Sequence, residues 1–507
     1  MPLRVKLTAL TAMLIFASLA CNTATSMLAE LLAVRDVDAT VATQTSPPRP
    51  TAELTTPPNP HPGPVGLGDV YYAELGNGGY DVRHYHLVLD VDVLDNFVRG
   101  LAHIQLTATQ RLSSLNLELY ELQVDEVRVN GERAEFHRQG VEMTIFLPLP
   151  ADMGDKLLVE VLYQGRPGES RDDLPQYSQG WINYGHGILV AGEPTGASTW
   201  YPVNEHPSDK ATYSYSVTVD ARYDVAANGL LTGVEQSNGH STYHWAIADP
   251  IAPYLTTLGI AEFDLEESRS SDGLLIRNYF GSGVSREVRN DFARTAEMLD
   301  YFEGLFGPYP YEAYGVVVHD MPLNFALETA TLSVFGNSFT DEYVVVHELA
   351  HHWFGNAVGL KQWQDIWLNE GFATYASDLW NEHTDGRPAM ERNIRSTYES
   401  LAAYAAYNQS FTGDPGANWL FDYASVYARG GLVLHALRLE IGDQAFFETL
   451  RTYTTRFGGG NASTADFIAT TEEVAGRDLG AFFDAWLYQL ELPDIPQMGL
   501  YAADYQE

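Results

Sequence analysis

Apolar and polar residues alternate with a period of two in a series of short runs between about residues 84 and 250. HYHLVLDVDV, AHIQLTATQ, LNLELYELQVDEVRV, KLLVEVLYQG, ATYSYSVTVDARY and STYHWAIAD all follow this pattern, which places every second side chain on one face of a strand. Asn130-Gly131 and Asn228-Gly229 supply turn chemistry between the runs. No internal repeat is evident. After about Glu266 the spacing lengthens: SREVRNDFARTAEMLDYFEGLFG is helical and stops at Gly307-Pro308. One more strand-like run, YGVVVHD, follows, and helical segments dominate from there onward. The expectation is an antiparallel β domain over residues 69–265 followed by a mostly helical domain over 266–507.

The first 68 residues fit neither period. Arg4 and Lys6 precede an uncharged, mostly apolar run at 7–20, which reads as an export signal and is short for a membrane span. Small residues at Ser18 and Ala20 make a cleavage site before Cys21, the only cysteine among the 507 residues, so no intramolecular disulfide can form. A lone cysteine at that position is similar to a bacterial lipoprotein acceptor, although SLAC lacks the usual Leu three residues before the Cys. The expectation is an exported protein anchored at the cell surface through Cys21, or otherwise secreted, with the lipid as its only membrane attachment. Residues 21–68 are rich in Thr, Ala and Pro with few large apolar side chains, the composition of a disordered tether.

Composition narrows the function. With 45% hydrophobic residues the folded part can bury a sizeable core. The 67 Asp and Glu against 29 Lys and Arg leave a net charge of −38, a field that repels nucleic acid and anionic lipid.

The chemistry is concentrated in TDEYVVVHELAHHWFGNAVG. His347 and His351 stand four apart, so a helix brings both imidazoles to one face within reach of one ion. Glu348 follows the first histidine and can reach a water on that ion. The flanking Val344, Val345, Val346, Leu349, Ala350, Trp353 and Phe354 supply a buried helix face. A second helical segment, DIWLNEGFATYASDLW, presents Glu370 with eighteen residues between it and His351. Two His, one Glu and one open position is the donor set of a catalytic zinc site, whereas a structural site is closed by four protein ligands.

HELAHHW and WLNEGFA at this spacing resemble the aminopeptidase N family of gluzincin zinc metallopeptidases, and the likeness extends over nearly all of the chain beyond the tether. It implies a β saddle followed by a thermolysin-like catalytic domain, one zinc per chain on His347, His351 and Glu370, and Glu348 as general base. ALETATL at 326–332 is similar to the family's Gly-x-Met-Glu-Asn motif, which implies that Glu328 holds the free α-amine of a peptide; Thr329 stands where the family has Asn. Glu193, in GEPTGASTWYP, matches a Gln or Glu position near that amine. Tyr427, 57 residues after Glu370, matches a tyrosine that stabilises the oxyanion, with Arg429 in a Lys position and Tyr423 as the nearest competing phenol.

The implied partners are peptides with a free N-terminus, and the implied activity is hydrolysis of the first peptide bond. Two rivals stay open: a zinc endopeptidase or dual-function hydrolase of the same fold, and a non-catalytic surface protein that binds peptides. Larger family members continue into a small β domain and a helical domain that covers the active site. The expectation is a protein without either, and so an open cleft.

Overall fold

The computed structural model describes residues 59–168, 180–403 and 409–505. The expected signal peptide, Cys21 and most of the tether lie outside the described residues. Residues 59–68, expected as tether, instead join the β region: His61–Pro62 pairs parallel with Leu112–Glu118, and Val65 bridges to Asn77. A two-residue pairing without apolar alternation carries no signal that local sequence reading can find.

The alternating runs form an eight-stranded sheet. Its order is Leu230–Ser237, His240–Ile251, Ala211–Asp220, Tyr80–Asp92, Phe97–Ala108, Lys156–Gly165, Gln123–Val129, Glu132–Arg133. All neighbours are antiparallel except Ala211–Asp220, which runs parallel to Tyr80–Asp92. Burial alternates strictly along Ala211–Asp220, as the period of two requires. Tyr85, Tyr213, Tyr201, Trp200 and Tyr215 pack into one buried aromatic cluster on this sheet. Two four-stranded sheets complete the β region.

Asn130-Gly131 forms the expected tight turn, both residues with positive φ. At Asn228-Gly229 only Gly229 has positive φ (+81°). Asn228 is fully buried: its amide donates to the carbonyls of Leu255 and Ala330, and its Oδ1 accepts from Tyr215 Oη and the Thr257 amide. It pins the β region to the loop that follows Glu328.

The helical region is built on a five-stranded sheet in the order Phe263–Arg269, Leu275–Gly281, Ala313–Val318, Ser333–Phe335, Ala326–Leu327. Because Phe263–Arg269 belongs to this sheet, the change of texture falls near Glu262, a few residues before the expected boundary. The long helical run after it is broken into Arg286–Asp291 and Thr295–Phe306. Phe292 is buried between Phe280 and Phe335 at the break, and Thr295 Oγ1 donates back to the Phe292 carbonyl. Among the described residues no helix is long and apolar enough to cross a membrane.

Two features bind the halves together near the motif helix. Lys210 is half-buried and donates to the carbonyls of Asn356, Ala357 and Gly460, while desolvation of its ammonium pulls it down to about 7. Asp69 accepts from the Trp363 amide and lies 3.6 Å from His206.

Candidate active site

The motif helix spans Glu342–Ala350 and is capped by Asp341, whose carboxylate accepts from the amides of Tyr343 and Val344. Val345, Val346, Leu349 and Ala350 are fully buried and hold the helix in the core. His351 is the C-cap residue, one turn beyond His347, and the two rings lie 4.7 Å apart. The chain then turns sharply at Gly355 (φ +119°), where a Cβ would come within 3.3 Å of His351 Nδ1. That turn lets His351 Nδ1 donate to the Phe354 carbonyl, which leaves the Nε2 lone pair free. His352, the other histidine of the pair, faces away: Tyr309 and Ser333 hydroxyls bond its two nitrogens, and burial lowers it to about 3.

Glu370 comes from the next helix, Trp367–Asp385, buried along its first four turns. Its Oε2 lies 3.1 Å from His347 Nε2 and 3.4 Å from His351 Nε2. Two donors each about 2.0–2.1 Å from a tetrahedral zinc are about 3.3 Å apart, close to both histidine–glutamate distances, and all three donor atoms lie within 4.8 Å of one another. Burial opposes ionisation of Glu370, but His351 and His347 more than offset it and hold the carboxyl below the usual range. Burial likewise opposes protonation of His351, and Glu370 and Glu328 overcome it, so zinc would displace a proton from Nε2 to use its lone pair. Glu328, Glu348 and His351 also converge within 4.8 Å. They share the single Nε2 lone pair of His351, so both sets cannot be filled at once.

Tyr427 sits in a π-helical turn, Tyr423–Ala428, that leads into the helix Arg429–Ile441. This helix crosses the Glu370 helix glycine to glycine: a Cβ on Gly430 would stand 2.8 Å from the Gly371 Cα. The Tyr427 ring lies 5.9 Å from His347, nearly parallel to it. Burial, then Glu370, raises the phenol well above its usual pKa, so it remains a donor. Tyr423 stacks 6.2 Å from Tyr427 but is 72% exposed at the mouth, which separates the two phenols.

Glu193 and Glu328 reach the same cleft from the β region and from the end of the Ala326–Leu327 edge strand. All seven residues singled out in the sequence line one cavity of about 420 Å³. One buried oxygen each of Glu193 and Glu328 has no hydrogen-bond partner among the described residues. Burial raises both carboxyls; Glu328 adds to the rise at Glu193, and Glu370 adds to it at both. Burial also raises Glu348, despite the neighbouring His351. Four carboxylates around two imidazoles form a cluster that calls for cations.

Several supports were not singled out beforehand. Asn356 Nδ2 donates to the Glu328 carbonyl at 2.6 Å, and Lys210 in turn holds the Asn356 carbonyl. Tyr254, which accepts from Asn369, lies close enough to Glu328 and Glu193 for their charges to raise it further after burial. Thr329 is fully buried, and its hydroxyl donates to the Leu332 carbonyl within its own loop.

A β saddle joined to a helical domain whose HExxH helix and following glutamate converge on one point defines a zinc metallopeptidase. Residues 82–255 match the model for the peptidase M1 N-terminal domain, and residues 291–486 match that for the peptidase family M1 domain. The chain belongs to peptidase family M1. It is similar to the crystal structure of an M1 zinc metallopeptidase from Deinococcus radiodurans, with 32% identity and a TM-score of 0.79 over 85% of this chain and 98% of that one. A variant of an M1 zinc metallopeptidase from that organism has been solved with a Tyr-Ser-Ala substrate bound. The chain is 25% identical over 436 residues to a leucyl aminopeptidase of Saccharolobus solfataricus, covering 80% of this chain and 53% of that protein. It is also 25% identical over 452 residues to aminopeptidase N of Lactococcus lactis, covering 81% and 51%. The chain thus spans about half the length of these curated relatives.

The family's zinc fits the donor set of His347, His351 and Glu370. If Tyr427 is the oxyanion donor, Tyr427→Phe should lower kcat by about 10²- to 10³-fold with KM little changed. Steady-state kinetics on one substrate measure this, and a kcat within threefold of wild type would remove Tyr427 from that role.

Proposed function

We propose that the protein is an aminopeptidase that hydrolyses the N-terminal bond of peptides. The observation that carries this reading is the pair of orphaned, buried carboxylate oxygens of Glu193 and Glu328 beside the zinc donor set. An α-amine has a pKa near 8 and is mostly protonated at neutral pH. Its N–H groups would satisfy both oxygens and relieve their mutual repulsion. A buried carboxylate without a cation is costly, so the site rejects a blocked N-terminus as well as accepting a free one.

Zinc on His347, His351 and Glu370 would supply Lewis-acid polarisation of the scissile carbonyl and a more acidic water. Glu348 takes the proton from the attacking water and returns it to the leaving amine. The Tyr427 hydroxyl donates to the oxygen that gains charge. Glu193 and Glu328 fix the amine so that only the first peptide bond reaches these groups. The Deinococcus relative with a bound tripeptide is consistent with peptides as the substrate class.

Fluorogenic aminoacyl amides, each offered with a free and an acetylated N-terminus, test the proposal. Turnover of the free-amine members alone, abolished by a chelator and restored by zinc, is the expected result. Cleavage of acetylated peptides at a comparable rate would make the protein an endopeptidase and leave Glu193 and Glu328 without the proposed role.

A further inference from the structure

A second cavity of about 210 Å³ adjoins the active-site cleft and shares Tyr343, Thr374 and Tyr423 with it. Its chemistry is different. Asp378 is only 8% exposed yet lines this cavity. Among the described residues none gives its carboxylate a hydrogen bond or ion pair, and burial alone lifts it to about 7. The remaining polar walls, Asn393, Ser396 and Thr397, come from the helix Arg387–Ala403 and are neutral. Among the described residues no lysine, arginine or histidine lines the cavity. A buried aspartate with no partner is costly for a fold to keep, and here it faces space that opens toward the substrate.

Position decides which part of a peptide it meets. Asp378 follows Glu370 by eight residues on one helix, which is about 12 Å along the axis. Thr374 lies midway, one turn from each. Glu193 and Glu328, which would hold the amine, line the main cleft and not the side cavity. Tyr343 and Thr374 line both cavities, so they join the cleft at the zinc donors to Asp378 and give the chain after the scissile bond a route there.

We infer that Asp378 forms a recognition pocket for the side chain of a lysine or arginine at the second residue of the peptide. The Tyr343 and Tyr423 rings flank the path of the aliphatic stem and offer their faces to the cation, and Asn393 and Thr397 supply further acceptors. This assignment rests on the aminopeptidase reading and adds a selectivity to it.

The test is a panel of free-amine peptides differing only at the second residue (lysine, arginine, norleucine or glutamate), and a matching panel differing only at the first. Wild type and Asp378→Asn are compared. The expected kcat/KM for wild type is about 10- to 100-fold higher with lysine or arginine than with norleucine at the second position. Asp378→Asn should reduce that ratio to within about threefold of one. A basic preference confined to the first position, or none at either, overturns the inference; so does a second-position preference that survives in Asp378→Asn. The wild-type panels decide the first two outcomes even if the variant fails to fold. Absence of cleavage for every free-amine peptide, by contrast, would overturn the aminopeptidase reading itself.

Discussion

Glu348→Gln should lower kcat by about 10²- to 10⁴-fold while the protein retains its zinc. Glutamine keeps the size and hydrogen-bonding reach of the side chain but cannot accept the proton of the attacking water. Glu348 is outside the donor set of His347, His351 and Glu370, whose nitrogen and oxygen atoms are already 3.1 and 3.4 Å apart across the two histidine–glutamate pairs. Metal content should therefore be unchanged. The side chain is 5% exposed, and burial favours its protonated form, so the amide enters without a new desolvation cost. Single-turnover kinetics, with zinc measured on the same sample, separate the two roles. A variant that keeps its zinc and a tenth or more of the wild-type kcat would exclude Glu348 as the base. Loss of zinc would instead mean that Glu348 contributes to the ligand field.

The metal donors are legible in the sequence because their geometry is local. Four residues on a helix bring His347 and His351 to one face, and one more helix start brings Glu370 beside them. The long strands such as Tyr80–Asp92 and Ala211–Asp220 are legible for a similar reason, since their burial alternates with the sequence. Glu193 is different in kind. It comes from the β region and reaches the cleft across a tertiary interface, so it could be named only through resemblance. Asn356, Tyr254 and Lys210 carry no motif; each acts through a backbone carbonyl or hydroxyl that only the folded chain presents. Asn228-Gly229 has good turn chemistry, which predicts a turn with Asn228 as its first half. Its amide is instead consumed by the carbonyls of Leu255 and Ala330, partners that are distant in sequence. The broken helix at Phe292 has the same cause: burial against Phe280 and Phe335 overrides the helical spacing.

Arg429 shows how far a motif position can depart from a purely local role. The guanidinium is fully buried and donates to the carbonyls of Ala485, Trp486, Gln489, Leu490 and Glu491, at 2.7 to 3.3 Å. These carbonyls lie at the end of the helix Gly480–Leu487 and just beyond it, where the peptide dipoles are negative and no N–H follows in register. Burial lowers Arg429 to about 10, so it stays charged at neutral pH and one cation serves five acceptors. Arg429→Met keeps an unbranched apolar stem and removes every donor. The expected loss is about 3–5 kcal/mol of stability, the range for breaking a buried, charge-assisted network. Lysine should recover only part of it, since three N–H groups on a single nitrogen cannot span the five carbonyls. Urea unfolding followed by tryptophan fluorescence measures both variants, and a Met variant within 1 kcal/mol of wild type would refute the clamp. Arg429 also begins the helix that Tyr427 leads into, two residues downstream of that phenol. Loosening the clamp should therefore lower kcat at temperatures well below unfolding, because the Gly371–Gly430 crossing that positions Tyr427 depends on the same segment.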